Sequence, residues 1–143
     1  MSSGPWSIGV IVAANQSVAP PREVLIVEDD AAMRELLATA LRMTGYHVRT
    51  AADGLAGLRV LEAYEPDVVV LDLGLPIASG FDVLHELRAM AKTRLTPVIA
   101  ISGLDQQLKL AKDSLEFVAT ISKPFEPDTL VRAVDRALRQ HLV

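Results

Sequence analysis

The sequence predicts an α/β domain, a parallel sheet with helices packed against both faces. Five strand-like runs, each followed by an amphipathic stretch of helical period, make five β-then-α units. Three of those runs, VLIV (Val24–Val27), VVVL (Val68–Leu71) and VIAI (Val98–Ile101), contain no polar residue. Unbroken runs of this kind belong to strands covered on both sides. The 143 residues are 50% hydrophobic but only 4% aromatic, so Val, Leu, Ala and Ile must fill a single core.

Residues 1–21 differ in texture: rich in Ser, Gly, Pro and Ala, without a charged side chain. The apolar piece Ile8–Ala14 has no Lys or Arg before it, so the basic start of a secretory signal is missing. This segment is expected to be a flexible leader, with the domain proper over 22–143.

The first helix is expected over Ala31–Met43, capped by Asp30, ended by Gly45, with Met33, Leu36, Leu37, Ala40 and Leu41 on one stripe. Tyr46–Ala51 alternates apolar and polar residues, which predicts a strand at a sheet edge. Asp53 caps a second helix that turns Leu55, Leu58 and Leu61 inward and stops before Pro66. Gly80 opens the third, with Phe81, Leu84 and Leu87 inward. The fourth spans about 105–114, with Leu104, Leu108, Ala111 and Leu115 on its buried stripe. Val118–Ile121 is the last strand, and a fifth helix from Pro127 and Asp128 buries Leu130, Val134 and Leu138.

Composition excludes several functions. Without cysteine there is no disulfide framework, thiolate nucleophile or cysteine metal site. A formal charge of −4 disfavours nucleic acid binding through phosphate contacts. No apolar run reaches the roughly 20 residues needed to cross a bilayer. His47, His85 and His141 lack ligand spacing and read as surface or packing residues.

The chemistry gathers at the strand ends, where ligands of such sheets bind. Glu28, Asp29 and Asp30 follow the first strand, Asp72 the third, Ser102 and Gly103 the fourth, and Lys123 with Pro124 the fifth. Carboxylates held this close repel by several kcal/mol at an effective dielectric near 20, and a hard divalent cation such as Mg2+ removes that repulsion. A carboxylate is also a nucleophile toward phosphorus, giving an aspartyl phosphate. The metal, the Lys123 ammonium and the Ser102 hydroxyl can each neutralise phosphoryl oxygens.

Taken together, VLIVEDD (Val24–Asp30), VVVLDLGLP (Val68–Pro76), SG (Ser102, Gly103) and SKPF (Ser122–Phe125) resemble the response-regulator receiver domains of two-component signalling, the CheY-like superfamily. The likeness runs from about Glu23 to Leu142. It implies a flavodoxin-like (βα)5 three-layer sandwich whose five-stranded parallel sheet has the order 2-1-3-4-5. It further implies that Asp72 accepts a phosphoryl group from a histidine kinase or phosphotransfer protein in a phosphorelay. Mg2+, with Mn2+ as a substitute, would be held by Asp29, Asp72, the Gly74 backbone carbonyl and, partly through water, Glu28. Lys123 would pair with phosphoryl oxygens, ahead of a cis Lys123–Pro124 bond, and Ser102 would swing to report phosphorylation.

Two departures carry expectations. Thr120 stands where receivers often have Tyr or Phe, so the output face is expected to change less, or to use Thr120 differently. SLEFVATIS before the last strand lacks the usual Gly-Ala, with Phe117 near that place. Gly74 cannot orient a water and Leu104 would shield phosphorus, which predicts slow self-hydrolysis. The expected protein is a cytoplasmic signalling switch, not a metabolic enzyme. It would have no nucleic-acid or membrane partner and be a monomer or phosphorylation-dependent dimer. Because the chain ends just past the fifth helix, it is expected to lack an output domain and to dock an unknown downstream protein through helix 4, strand 5 and helix 5. Rival readings are an aspartyl-nucleophile phosphohydrolase, which would want an acid at Gly74; a flavin module, which would want a Ser/Thr/Gly loop at EDDAA; and a degenerate receiver working unphosphorylated as a scaffold.

Overall fold

A computed structural model of the chain describes residues 20–141. The leader expected over 1–21 lies outside them apart from Pro20 and Pro21. The elements are β1 (Glu23–Val27), α1 (Ala31–Met43), β2 (His47–Ala51), α2 (Gly54–Ala63), β3 (Val68–Asp72), α3 (Gly80–Ala89), β4 (Val98–Ser102), α4 (Asp105–Ser114), β5 (Ala119–Ser122) and α5 (Pro127–His141). The five strands form one parallel sheet in the order β2-β1-β3-β4-β5. This is the predicted topology, and β2, the alternating strand, is at an edge.

Every residue of β3 and β4 is buried, as the unbroken apolar runs require. Alternate side chains of the central strands feed two cores. Val24, Ile26, Val68, Val70, Ile99 and Ile101 pack against α1 and α5. Leu25, Val27, Val69, Leu71 and Val98 pack against α2 and α3 on the other face.

Capping follows the sequence. Asp30 Oδ1 accepts from the Met33 N–H at 2.9 Å, and Asp53 Oδ1 from the Ala56 N–H at 2.7 Å. Gly45, with φ 100°, turns the chain out of α1. The third helix has more than its expected glycine start: Ser79 and Asp82 form a reciprocal capping box.

Four inward assignments are corrected. Leu36 is 53% exposed, because the buried seam of α1 runs through Leu37, Ala38 and Leu41 and leaves position 36 on the far side of the wheel. Leu55 is exposed, since α2 presents Gly54, Gly57 and Leu61 to the sheet. A Cβ on Gly57 would lie 3.1 Å from Val27 Cγ2, so the missing side chain sets how closely this helix approaches. On α4, Leu108 and Ala111 are buried but Leu104 and Leu115 are exposed. They flank the helix as its caps, and Leu115 has left-handed backbone (φ 59°). Strand β5 starts one residue later than expected, at Ala119, with Val118 half exposed. Phe117 is half-buried, edge-on to Phe81 with ring centroids 6.1 Å apart.

Candidate functional site

Four strand tips build one rim. Just past β1, the Glu28 N–H donates to the Ala51 carbonyl at 3.0 Å, which keeps this residue in the sheet and buries it fully. Asp29, next along, is exposed. Asp72 ends β3, in register with Ile101, and is 4% exposed. Ser102 ends β4, buried, opposite Ser122, and its carbonyl accepts the Lys123 N–H at 2.8 Å. That backbone bond carries Lys123 onto the rim. The Lys123–Pro124 peptide is cis.

Carboxylate oxygens of Glu28, Asp29 and Asp72 all lie within 4.8 Å of one another. The Lys123 ammonium stands among them, 2.8 Å from Glu28 Oε1 and 3.2 Å from Asp72 Oδ2. Backbone amides take the remaining oxygens: Asp30 N–H donates to Glu28 Oε2 and Gly74 N–H to Asp72 Oδ1, each at 3.0 Å. Glu28 Oε1 has no well-aligned hydrogen bond, and the ammonium is its polar contact.

Electrostatics follow from that crowding. Burial pushes the Glu28 carboxyl above its ordinary 4.5, the Lys123 ammonium and the Asp30 N–H pull it back, and the Asp72 charge adds to the rise. Burial works against the Lys123 ammonium too, but its contacts with Glu28 and Asp72 outweigh it, and its pKa lies above the ordinary value. Lys123 pairs with Glu28 and Asp72, and Asp29 adds a third carboxylate, so the cluster carries excess negative charge. The donor set fits a hard divalent cation that binds carboxylate oxygens and keeps waters.

The Ser102 hydroxyl is turned elsewhere. It accepts from the Leu104 N–H at 3.0 Å and donates to Gln107 Oε1 at 2.6 Å. Thr120 is half-buried within β5, opposite Ala100, with no hydrogen bond to the cluster among the described residues. Gly74 is exposed, and a Cβ there would lie 3.7 Å from both Asp72 Oδ1 and Gln107 Oε1.

Sequence reasoning missed two residues. Gln107 is a polar residue on the stripe of Leu104, Leu108 and Ala111, and that misplacement was its signal. Arg34 reaches back from α1 to the carbonyls of Glu28 (2.9 Å) and Asp29 (3.3 Å), fixing the acidic turn. An arginine on the first turns of a helix behind EDD gives no comparable signal. His47 and His85 are exposed, as expected; the side chain of His141 lies outside the described residues.

A profile described as the response regulator receiver domain matches residues 24–135. This chain belongs to the receiver domain family. Receiver domains are signalling switches of two-component systems, whose kinases are histidine kinases. The chain is 34% identical over 118 residues to the DNA-binding dual master transcriptional regulator RpaA of Synechocystis, covering 82% of this chain and 49% of that protein. It is also 34% identical over 123 residues to the transcriptional regulatory protein PdtaR of Mycobacterium tuberculosis, covering 84% of this chain and 58% of that one. The receiver thus spans about half the length of these curated relatives.

Among solved structures, the Vibrio cholerae chemotaxis response regulator CheY4 superposes with a TM-score of 0.76 at 28% identity, over 82% of this chain and 99% of that one. The receiver domain of a Pseudomonas aeruginosa sensor histidine kinase, with a magnesium ion coordinated in its active-site cleft, gives 0.75 at 28%, over 83% and 98%. No helix among the described residues is long and apolar enough to cross a membrane.

Proposed function

We propose that this receiver, acting in the cytoplasm, accepts a phosphoryl group on Asp72 from a histidine kinase or phosphotransfer protein and passes the change to a protein partner. The observation that carries this reading is the Lys123 ammonium 3.2 Å from Asp72 Oδ2, beside two further carboxylates whose oxygens lie within 4.8 Å.

In the transfer an Asp72 carboxylate oxygen attacks phosphorus. The new O–P bond forms as the donor's P–N bond breaks, and the departing imidazole nitrogen keeps the electron pair. The Gly74 N–H holds Asp72 Oδ1, orienting the carboxylate, while Lys123 offers its positive charge to a phosphoryl oxygen. Asp29, Asp72, the Gly74 carbonyl and, partly through water, Glu28 would hold Mg2+, with Mn2+ as a substitute. When bound, the ion neutralises the acidic cluster and the phosphoryl oxygens. Ser102 supplies a hydroxyl for the remaining phosphoryl oxygen, and α4, β5 and α5 form the output face. Thr120 gives that face a smaller group to move than an aromatic ring.

Gly74 has no side chain to aim a water at the phosphorus, so loss of the phosphoryl group by self-hydrolysis is slow. A phosphoryl lifetime of seconds would contradict that.

Incubation with acetyl phosphate or phosphoramidate and Mg2+, followed by mass measurement, tests the reading. Gain of one phosphoryl group, abolished in Asp72→Asn, supports it. Steady turnover of aryl phosphates would favour a phosphohydrolase, and no modification at all a scaffold.

A further inference from the structure

Gln107 belongs to none of the receiver motifs that the sequence presents, yet it bridges three parts of the site. Its Oε1 receives the Ser102 hydroxyl at 2.6 Å, and its Nε2 donates to the Leu73 carbonyl at 3.4 Å. The same Oε1 lies 3.7 Å from where a Cβ on Gly74 would be. The half-buried amide therefore spans from the tip of β4 to the loop leaving β3, one residue past Asp72.

The orientation of the amide is set by its partners. Ser102 Oγ accepts from the Leu104 N–H, so its own proton is free for Oε1. Turning the amide over would place Oε1 against the Leu73 carbonyl, two acceptors face to face. In the orientation present, the Ser102 hydroxyl proton meets Oε1 and one Nε2 hydrogen meets the Leu73 carbonyl.

We infer that Gln107 is a positioning residue for the phosphoryl acceptance proposed above: it latches the Ser102 hydroxyl away from Asp72 and ties the start of α4 to the β3–α3 loop. The inference rests on that reading of Asp72. A hydroxyl has one proton, so Ser102 cannot donate to Gln107 and to a phosphoryl oxygen together. When it turns to the phosphoryl group, Oε1 loses its donor and α4 loses one of its ties to the Asp72 loop. The unmodified state is thereby favoured by the strength of one short hydrogen bond, and acceptance requires that bond to open.

Two substitutions separate the latch from simple packing. Gln107→Met keeps length and bulk while removing both hydrogen bonds, and Gln107→Ala removes bulk as well. With phosphoramidate and Mg2+, both variants are expected to accept the phosphoryl group roughly 3- to 10-fold faster than the parent chain, the range that a single hydrogen bond covers. On a Ser102→Ala background, Gln107→Met should add no acceleration. A readout needing neither metal nor donor comes from the Gln107 side-chain amide resonances: Ser102→Ala should shift them in the unmodified protein.

An unchanged rate in Gln107→Met, or acceleration that persists without the Ser102 hydroxyl, would overturn the latch. Faster loss of the phosphoryl group at an unchanged acceptance rate would also overturn it and make Gln107 a residue that controls water. If the parent chain itself takes up no phosphoryl group while the amide resonances still respond to Ser102→Ala, the Asp72 reading fails and the contact is structural.

Discussion

The Lys123 ammonium lies closer to Glu28, at 2.8 Å, than to Asp72, at 3.2 Å. The glutamate is fully buried, so this lysine first satisfies a carboxylate that has no access to water, and only then Asp72. Removing it leaves two buried carboxylates without their cation.

Lys123→Met is therefore expected to lower stability by about 3 kcal/mol at neutral pH, the usual scale for an orphaned partner of a buried pair. The pH dependence has a definite sign. With its pKa raised above 4.5, chiefly by burial, Glu28 keeps in the folded chain a proton that the unfolded chain has lost. Its contribution to stability is complete below 4.5 and falls as pH rises through the raised value. Loss of Lys123 extends that window upward, so the penalty should shrink on acidification. Urea midpoints for both proteins at about pH 5 and about pH 8 check this, and equal penalties at the two would contradict it.

Asp29 should show opposite signs with and without Mg2+. It is exposed and adds a negative charge beside Glu28 and Asp72, so Asp29→Asn should raise the melting temperature slightly in chelator. In the parent chain, Mg2+ at roughly 100 times its dissociation constant should stabilise by about 2.7 kcal/mol. Asp29→Asn should lose most of that gain. Thermal melts across a Mg2+ titration decide it.

Gly80→Ala tests how tightly α3 is seated on the end of β3. A Cβ at this position would lie 2.6 Å from the Asp72 carbonyl oxygen and 2.7 Å from Leu73 Cα, backbone atoms that cannot swing aside. We expect a loss of about 2 kcal/mol despite alanine's better helix propensity. Phosphoryl uptake should fall with it, since the displaced backbone carries Asp72. Chemical denaturation and mass measurement on the same sample report both.

Tyr46, directly before β2, links that strand's start to α5. Its hydroxyl donates to Asp135 Oδ1 at 2.8 Å, and burial, with the aspartate's help, pushes its pKa up to about 12 from 10.0. The contribution is fully present below pH 10 and is lost as pH climbs toward 12. Tyr46→Phe should cost about 1 kcal/mol at neutral pH and flatten the alkaline limb of the stability profile. Base titration followed by far-ultraviolet dichroism measures the difference.

The sheet was legible because its strands are extreme: Val24–Val27, Val68–Leu71 and Val98–Ile101 have no polar residue, and all are fully buried. The alternation of β2 gave away its edge position for the same reason. The acidic pair, Asp72 and Lys123 were legible because charge directly after a buried strand is rare without a purpose. Helix faces were less so. Leu36 and Leu55 are as apolar as their buried neighbours, and only tertiary packing decides that Ala38 and Gly57 face the sheet instead. Leu115 could not be separated from the α4 stripe, because the left-handed cap that carries it outward has no glycine to announce it. Gln107 was marked by its place on the apolar stripe of α4, but that spacing does not encode its bond to the Ser102 hydroxyl.

The rim takes its polar side chains from the tips of β1, β3, β4 and β5, and none from β2, which holds one flank of the sheet. On that flank His47 meets Glu23 at 3.3 Å and Arg49 lies over the Tyr64 ring at 4.3 Å, away from the acidic cluster. A spectroscopic label, crosslinker or surface-immobilisation handle at exposed His47 would therefore sit apart from Asp72 and leave the β5 flank of the sheet uncovered.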